Sequence, residues 1–455
     1  MRALYDSKSK SISDRGVNEI LSGSEKLKTW LWVEAELAKA QAEEGFIPWE
    51  AAEGISQSCK LENLDLEEME RIKVKVGHGF VPFLKVLVKA CPKEAGKYVH
   101  YGVTTQNIQQ TSQLYQMKKV HDIFLKMCGE ILENLSVLAE RHKDTVMPGR
   151  THGKHAIPIT YGYKVSVWIS ELLNAVERMK KKKKRVFQVM MGGAVGSFNA
   201  MGEVGIRVQE RVAKALGMYA MPVPSRSISS HKEEYIVDLA LLCNVCHKMA
   251  EEVYYTGMEE FGEVSEAFQE GTIGSSTMPQ KINPKLAKGI IANSQKLYSM
   301  VSLGLFSSVR MFEGDSSSYM LYDGMLEEAL ELTSQVLMRM EELTRTIHVN
   351  KERMYENAWK NRGLDNSELV MMNVAAKIGK DKAHGLMYEK AMKVELEGSD
   401  YLSALLEDEY LTELFSREEL EAMIRPENYV GCGPKIAEIM AEKAADKAKG
   451  LMEEK

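Results

Sequence analysis

The spacing of the prolines is the feature that most limits how this chain can fold. Its 455 residues include only 11 prolines, and none lies within residues 93–147, 159–221 or 285–425. Because a proline inside a helix removes a hydrogen bond and clashes with the preceding turn, each of these intervals leaves room for an unusually long helix.

The apolar residues in two of these intervals recur at the three-and-four spacing of a helix. No comparable alternation of apolar and polar residues predicts a sheet, so we expect an all-α chain. A similar stripe near the N-terminus has Ser24 as a candidate N-cap and Gly45 as a candidate end. The stripes are Trp30, Val33, Leu37 and Ala40; then Phe124, Met127, Ile131, Leu135 and Leu138; then Tyr161, Val165, Trp168, Leu172, Val176 and Met179.

The pattern divides the chain into three predicted helical domains. Residues 1–110 form an N-terminal helical domain, and residues 111–345 form a central long-helix bundle that carries a loop near 270–285. Residues 346–455 form a smaller helical C-terminal domain.

Composition excludes several classes of partner. Lys and Arg total 59 against 65 Asp and Glu, and this net charge of -6 offers no general attraction to nucleic acid or to an anionic membrane. The chain has neither an N-terminal signal-peptide pattern nor a membrane-length apolar run, so we predict a cytoplasmic protein.

The six scattered cysteines suit reduced thiols. The haem-type pattern from Cys243 to His247 lies in a helical run, where a chance match is the better interpretation.

The first chemically distinctive stretch is HYGVTTQN, residues 100–107, at the start of a long predicted helix. Thr104 and Thr105 there would place hydroxyls beside the free N–H groups of a helix N-terminus, which is an anion-binding arrangement. Ordinary N-capping by threonine explains the same residues equally well.

The second stretch is GRTHGKH, residues 149–155, between two long predicted helices. Its histidines could supply a general acid, because imidazole titrates near neutral pH. A metal site is the weaker interpretation, since no Cys, Asp or Glu cluster with ligand spacing lies nearby.

The third stretch is GTIGSSTMPQKINP, residues 271–284. Its glycines and serines predict a loop that can move. Lys281 and Asn283 can both donate hydrogen bonds to a carboxylate, which favours a functional site over a structural linker.

The string GSSTMPQKINP closely resembles the signature loop of the fumarase/aspartase superfamily, which includes adenylosuccinate lyase, argininosuccinate lyase, aspartase and 3-carboxy-cis,cis-muconate cycloisomerase. The other two stretches resemble the two remaining conserved regions of that superfamily, in the same order. The resemblance therefore covers most of the chain.

The resemblance implies a role for each matching residue. Ser275 would be the catalytic base and His152 the general acid, while Lys281 and Asn283 would bind substrate carboxylates. It implies no metal and no cofactor. The remaining substrate-binding positions would be His100, Thr104, Thr105, Asn107, Arg150, Thr151, Ser276 and Met278.

The same resemblance implies a homotetramer with a core of 20 helices and active sites shared among three subunits.

The chemistry of β-elimination is consistent with the residues that the resemblance implies. Removing a proton next to a carboxylate produces a dianionic intermediate, so the site needs donors aimed at that charge. A serine hydroxyl becomes a base only if Lys281 and loop N–H groups stabilise its alkoxide.

The C-terminal stretches that begin at Gly363 and Arg425 resemble the domain shared by adenylosuccinate lyase and the muconate cycloisomerase. The chain departs from the adenylosuccinate lyase pattern at four places: residues 4–7 read LYDS where that pattern has Arg-Tyr-Ser, Lys288 replaces an acidic residue, residues 229–232 read SSHK, and residues 314–318 lack an arginine. The last two departures remove arginines, which are the bidentate donors that a nucleotide phosphate would use.

We therefore expect an adenylosuccinate lyase-type enzyme that cleaves the C–N bond of an N-substituted aspartate and releases fumarate. Its substrate would be a small polycarboxylate that need not be a nucleotide. A 3-carboxy-cis,cis-muconate cycloisomerase-like enzyme is the alternative, and an inactive structural protein on the same fold is an alternative from another class.

Overall fold

The computed structural model describes residues 11–267, 275 and 277–453. This part of the chain is mostly helical, which confirms the expected fold class in its main feature. The helices are α1 (Val17–Ile20), α2 (Gly23–Glu43), α3 (Trp49–Ser58), α4 (Leu66–Val76), α5 (Val81–Ala90), α6 (Lys93–Gly96), α7 (Thr105–Arg141), α8 (Tyr161–Val186), α9 (Val204–Ala215), α10 (Ser230–Thr256), α11 (Lys285–Ser308), α12 (Met325–Thr346), α13 (Lys351–Ala358), α14 (Ser367–Ile378), α15 (Lys380–Glu397), α16 (Tyr401–Leu406), α17 (Glu409–Leu414), α18 (Arg417–Ile424) and α19 (Gly433–Glu453).

The structure also contains short strands that the apolar pattern did not predict. They pair in twos: β1 with β2 and β5 with β6 run antiparallel, while β3 and β4 run parallel. The strands are β1 (Val146–Thr151), β2 (Lys154–Thr160), β3 (Gln188–Val189), β4 (Tyr219–Ala220), β5 (Val264–Ser265) and β6 (His348–Val349). Four of them are only two residues long, which is too short for an alternating pattern to be visible.

The predicted apolar stripes are all buried, and they lie on α2, α7 and α8. Helix α2 nevertheless begins earlier than expected. Its N-cap is Ser22, whose hydroxyl accepts the N–H of Glu25 at 3.3 Å, so the prediction of Ser24 as the cap was wrong by two residues. Gly45 follows the C-cap residue Glu44 with a φ of 70°, a left-handed conformation that suits glycine.

The chain divides into two compact units. Among the described residues, the first contains residues 11–126, 175–244 and 292–338, and the second contains the remainder. In the first unit, the Trp30 ring packs edge-on against Phe80 and Phe83, with centroids 4.9 and 5.3 Å away. Each such buried side chain contributes about 1.5–3 kcal/mol through the hydrophobic effect.

The second unit has a separate apolar core in its C-terminal part. There the five helices α14 to α18 contribute to a cluster of buried residues that includes Tyr401, Leu405, Leu411 and Leu420. The division into domains at residues 110 and 345 stays a prediction. Within the described residues, no helix is both long enough and apolar enough to span a membrane.

Candidate active site

The first motif lies in the first unit, at the start of α7. Asn107 is fully buried, and its side-chain oxygen accepts the backbone N–H of Thr104 and of Gly193, each at 3.0 Å. Among the described residues, the hydroxyls of Thr104 and Thr105 make no hydrogen bond. Asn107 therefore caps the helix, which leaves both threonine hydroxyls available to a ligand.

The buried carboxylate of Glu34 binds both the ring and the backbone of His100. Its ring Nδ1 lies 2.7 Å from Oε1 of Glu34, and its backbone N–H donates to Oε2 of the same residue at 3.2 Å. The Glu34 side chain is 1% exposed, so this contact fixes the orientation of the imidazole. His100 has a φ of 59°, and the two bonds to Glu34 accompany this rare backbone conformation.

Thr104 and Thr105 line a cleft of about 540 Å³ within the first unit, together with His78, Arg226, Tyr319 and Glu327. His78 belongs to none of the three motifs. Its Nδ1 accepts the N–H groups of Phe80 and Val81 at 3.1 Å each, where α5 begins. Because Nδ1 is the acceptor, the ring carries its proton on Nε2, so His78 offers the cleft a hydrogen-bond donor.

The second motif forms a β-hairpin in the second unit. Thr151 pairs with Lys154, and His152 and Gly153 form the two-residue turn with φ values of 52° and 72°. Positive φ at both positions defines a type I′ turn, which matches the twist of the two strands. Thr151 and His152 are exposed at the tip of this hairpin.

Arg150, one residue before this tip, is already engaged by protein groups. Its NH1 donates to Oε2 of Glu263 at 3.0 Å, its NH2 donates to Oε1, and its guanidinium lies 5.1 Å from the centroid of the Phe261 ring. Glu263 is fully buried, and its Oε1 also accepts from Asn357 at 2.9 Å. This network fixes the hairpin, and it leaves Arg150 few donors for a substrate.

The third motif is the loop that carries Ser275. The Ser275 oxygen accepts the backbone N–H of Thr277 at 3.3 Å and that of Met278 at 3.1 Å. Met278 and Lys281 are exposed. Ser276 lies outside the described residues, so its role in binding the substrate stays a prediction.

The loop is followed by α11, whose first turn is capped by Glu266. The carboxylate accepts the N–H groups of Lys285, Leu286 and Ala287 at 2.8, 2.9 and 2.7 Å. Asn283 and Glu266 line a pocket of about 350 Å³. Glu266 thus accepts hydrogen bonds from N–H groups that have no partner within the helix. Its negative charge also interacts favourably with the positive end of the helix dipole.

The predicted site residues therefore form two groups. His100, Thr104, Thr105 and Asn107 belong to the first unit, and the hairpin and loop residues belong to the second. Within the described part of the chain, no hydrogen bond joins Thr151 or His152 to the loop.

Two family models match the chain. The model described as Lyase covers residues 8–296, and that described as Adenylosuccinate lyase C-terminus covers residues 363–439. Together with the mostly helical fold, these matches define a lyase and confirm the predicted enzyme class.

Similar proteins include an adenylosuccinate lyase of Methanocaldococcus jannaschii, which is 34% identical over 416 residues that cover 91% of this chain and 90% of that protein. An N-acetyl-S-(2-succino)cysteine lyase of Enterococcus italicus is 33% identical over 425 residues, covering 93% and 92%. The crystal structure of 3-carboxy-cis,cis-muconate lactonizing enzyme from Pseudomonas putida aligns with a TM-score of 0.86 and 26% identity, covering 96% of this chain and 97% of that chain. The chain belongs to the adenylosuccinate lyase family of the fumarase/aspartase superfamily. The three motifs indicated the superfamily, and the C-terminal stretches indicated the branch.

Proposed function

We propose that this lyase cleaves the C–N bond of an N-substituted aspartate by anti β-elimination and releases fumarate, and that its substrate need not be a nucleotide. The hydrogen bonding of Ser275 is the observation that carries this proposal. Two backbone N–H groups point at its oxygen at 3.3 and 3.1 Å, and donors of this kind stabilise an alkoxide more than a neutral hydroxyl.

In the proposed reaction, the Ser275 alkoxide removes a proton from the carbon next to one substrate carboxylate. Lys281 and Asn283 donate hydrogen bonds to the carboxylates, and they stabilise the negative charge that develops on them. His152 then gives a proton to the leaving nitrogen as its bond to carbon breaks. Thr104, Thr105 and Thr151 are proposed to bind the substrate, and His100, Asn107 and Arg150 to position it mainly through the contacts described above. Ser276 and Met278 complete the proposed substrate-binding set.

A thioether substrate is a second candidate, because one relative of similar identity and coverage is named an N-acetyl-S-(2-succino)cysteine lyase. Elimination from a C–S bond would need the same base and the same carboxylate donors. The muconate alternative is supported by the fold of the lactonizing enzyme at 26% identity. It would use related proton chemistry to form or open a lactone.

We also propose the homotetramer with sites shared among three subunits. It is supported by exposed apolar side chains from the end of α11 onward: Phe306, Val309, Met311 and Phe312 are 61–80% exposed. Apolar groups this close together favour a contact with another protein surface. The test is the solution mass of the purified protein, together with activity in mixtures of Ser275→Ala and His152→Ala chains. Shared sites predict that mixing restores part of the activity, and a monomeric active enzyme would contradict the proposal.

The function is tested by following fumarate release in the ultraviolet. Substrates are adenylosuccinate, argininosuccinate, aspartate, other N-substituted aspartates and N-acetyl-S-(2-succino)cysteine, with 3-carboxymuconate assayed alongside. Release of fumarate from an N-substituted aspartate supports the proposal. Turnover of the thioether alone selects the second candidate, and turnover of the muconate alone overturns both.

Ser275→Ala tests the base. We expect kcat to fall at least about a hundredfold, because general base catalysis contributes about 10²–10⁴-fold. Ser299→Ala is the matched control, since Ser299 is exposed on α11 and its hydroxyl donates, among the residues that the structure describes, to the carbonyl of Lys296 alone. A Ser275→Ala enzyme within a few fold of wild type would show that another group is the base.

A further inference from the structure

The position of His152, the proposed general acid, depends on the backbone of the β1–β2 hairpin. Among the described residues, its imidazole takes part in no hydrogen bond and no ion pair. It lies in the two-residue turn of the hairpin, where its φ is 52°. A catalytic side chain without contacts of its own is placed by the element that carries it, so the contacts that hold the hairpin decide where His152 lies.

Two side chains on one face of the hairpin hold it to the rest of the second unit. Arg150 of β1 lies directly opposite His155 of β2, and opposite residues of an antiparallel pair project to the same face. Arg150 is bound to the buried carboxylate of Glu263. Nδ1 of His155 lies 3.5 Å from Oδ2 of Asp365, and these two side chains are 17% and 11% exposed. Each strand is therefore held beside the turn by one carboxylate.

The two carboxylates have similar surroundings. Oε1 of Glu263 accepts a hydrogen bond from Nδ2 of Asn357, and Oδ1 of Asp365 accepts one from Nδ2 of Asn361, each at 2.9 Å. Nδ1 of His155 is buried, and within the described part of the chain it makes no hydrogen bond. The separation of 3.5 Å is that of an ion pair, so the attraction between His155 and Asp365 is mainly electrostatic.

The charge of the imidazole affects this contact. Burial raises the pKa of Asp365, whereas the hydrogen bond from Asn361 and the charge of His155 act to lower it. A protonated imidazole therefore favours the ionised form of the Asp365 carboxyl group. The contact holds β2 most strongly when His155 carries a proton and Asp365 does not.

The C-terminal apolar cluster determines where Asp365 lies. Asp365 belongs to a single 3₁₀ turn, Leu364–Asn366, which follows Gly363. Gly363 has a φ of 88°, and a Cβ added there would lie 2.6 Å from the Cβ of Ile424 and 2.8 Å from its carbonyl oxygen. Nδ2 of Asn366 donates to two carbonyls at the end of α18, at 3.0 and 2.8 Å. Because Ile424 is a member of the buried cluster, the 3₁₀ turn is fixed to that cluster.

We propose that His155 and Asp365 are positioning residues for the elimination, which hold the hairpin so that His152 can protonate the leaving group. The inference rests on the proposed function, and it adds a role in catalysis for the C-terminal part of the chain. It also gives a role to the second histidine of the GRTHGKH stretch, which the proposed mechanism does not use. A displacement of about 1 Å can lower a rate about a hundredfold, and the remaining contact at Arg150 reduces our expectation for the loss of one contact.

Asp365→Asn keeps the size of the side chain and removes its charge. We expect kcat for fumarate release to fall about tenfold while KM changes less than about twofold, because His152 acts as the bond to the leaving group breaks. Glu251→Gln is the matched control, since it removes the carboxylate of another such pair, 3.3 Å from His247 on α10, and it should leave kcat unchanged. Equal kcat in Asp365→Asn and Glu251→Gln would overturn the proposal.

Two substitutions of His155 separate positioning from packing. His155→Asn keeps an N–H donor near the place of Nδ1, whereas His155→Leu keeps the bulk without a donor. We expect His155→Leu to reproduce the loss of kcat and His155→Asn to recover most of it. The double variant Asp365→Asn/His155→Leu should be no slower than either single variant, because both remove the same contact. Losses that multiply in the double variant would contradict the proposal.

Gly363→Ala tests the part of the proposal that concerns the C-terminal cluster. The added Cβ must displace the 3₁₀ turn from Ile424, so we expect kcat to fall as in Asp365→Asn. Gly398→Ala is the matched control, since Gly398 also has a positive φ, of 68°, but no atom lies within 4 Å of the added Cβ. It should lower stability and leave kcat unchanged. An unchanged kcat in Gly363→Ala would overturn the role of the cluster.

Hydrogen exchange decides the positioning independently of the chemistry. Exchange is followed by mass spectrometry in peptides that cover residues 146–160, for wild type, Asp365→Asn and Glu251→Gln. We expect faster exchange of the hairpin in Asp365→Asn alone, because one of its two contacts is lost, and equal exchange in all three proteins would overturn the proposal. Absence of fumarate from every substrate would overturn the proposed function, and the exchange rates would still show whether Asp365 holds the hairpin.

Discussion

The ion pair between Arg150 and Glu263 should be strongly coupled, and a double-mutant cycle can measure the coupling. The perturbations are Glu263→Gln, Arg150→Met and the two together. The carboxylate is fully buried and receives both terminal nitrogens of the guanidinium, while the Arg150 side chain is 20% exposed. Removing one partner of a buried pair costs about 3–5 kcal/mol. Because Arg150 is partly exposed, we expect a smaller coupling energy between the two residues, about 2–3 kcal/mol.

The assay is the free energy of unfolding in urea for the four proteins, with kcat/KM for fumarate release measured in parallel. The exposed pair of Lys248 with Glu171, at 3.0 Å with side chains 52% and 40% exposed, is the matched control and should couple by less than about 1 kcal/mol. Because Arg150 fixes the hairpin that carries His152, we also expect Glu263→Gln to lower kcat/KM at least about tenfold. A coupling no larger than that of the surface pair would refute the argument from burial.

Three further predictions concern stability. Gly153→Ala should destabilise the protein by about 1–2 kcal/mol in urea unfolding, because a φ of 72° strains any residue that has a Cβ. No atom lies within 4 Å of the added Cβ, so the cost comes from the backbone alone. The same change at Gly385, a helical glycine with no atom within 4 Å of the added Cβ, should be neutral or stabilising. Glu266→Gln should destabilise by about 1–2 kcal/mol through weaker capping of α11, and an unchanged urea midpoint would contradict this. Lys232 has its pKa lowered to about 7 by burial, so the folded state binds fewer protons than the unfolded state between pH 7 and the usual lysine range, and stability rises with pH there. Lys232→Met should remove that rise, and identical pH profiles of unfolding for the variant and wild type would exclude it.

The long helices could be predicted because their signals are local. Proline-free intervals and apolar stripes predicted α7 and α8, and every stripe residue is buried. The hairpin could not be predicted in this way, since β1 and β2 contain prolines at paired positions, 148 and 158, and a register shift beside the first of them. The signal that was available is His152-Gly153, a pair that tolerates the positive φ values of a type I′ turn.

The motifs predicted which residues to examine, but the groups that hold them come from distant positions in the chain. Glu34 holds His100 across 66 residues, and Glu263 holds Arg150 across 113. Neither glutamate belongs to a motif, and each is one of 65 acidic residues. Only the folded structure distinguishes a carboxylate buried against a site residue from those that face water.

The contact between Glu266 and the first turn of α11 has a consequence for protein engineering. It joins two points 19 residues apart, one on each side of the loop that carries Ser275. A loop whose ends are tied together tolerates changes in its length, because the entropy of closing it varies only slowly with the number of residues. We therefore expect insertions between Glu266 and Lys285 to leave the capping of α11, and with it the urea unfolding midpoint, nearly unchanged.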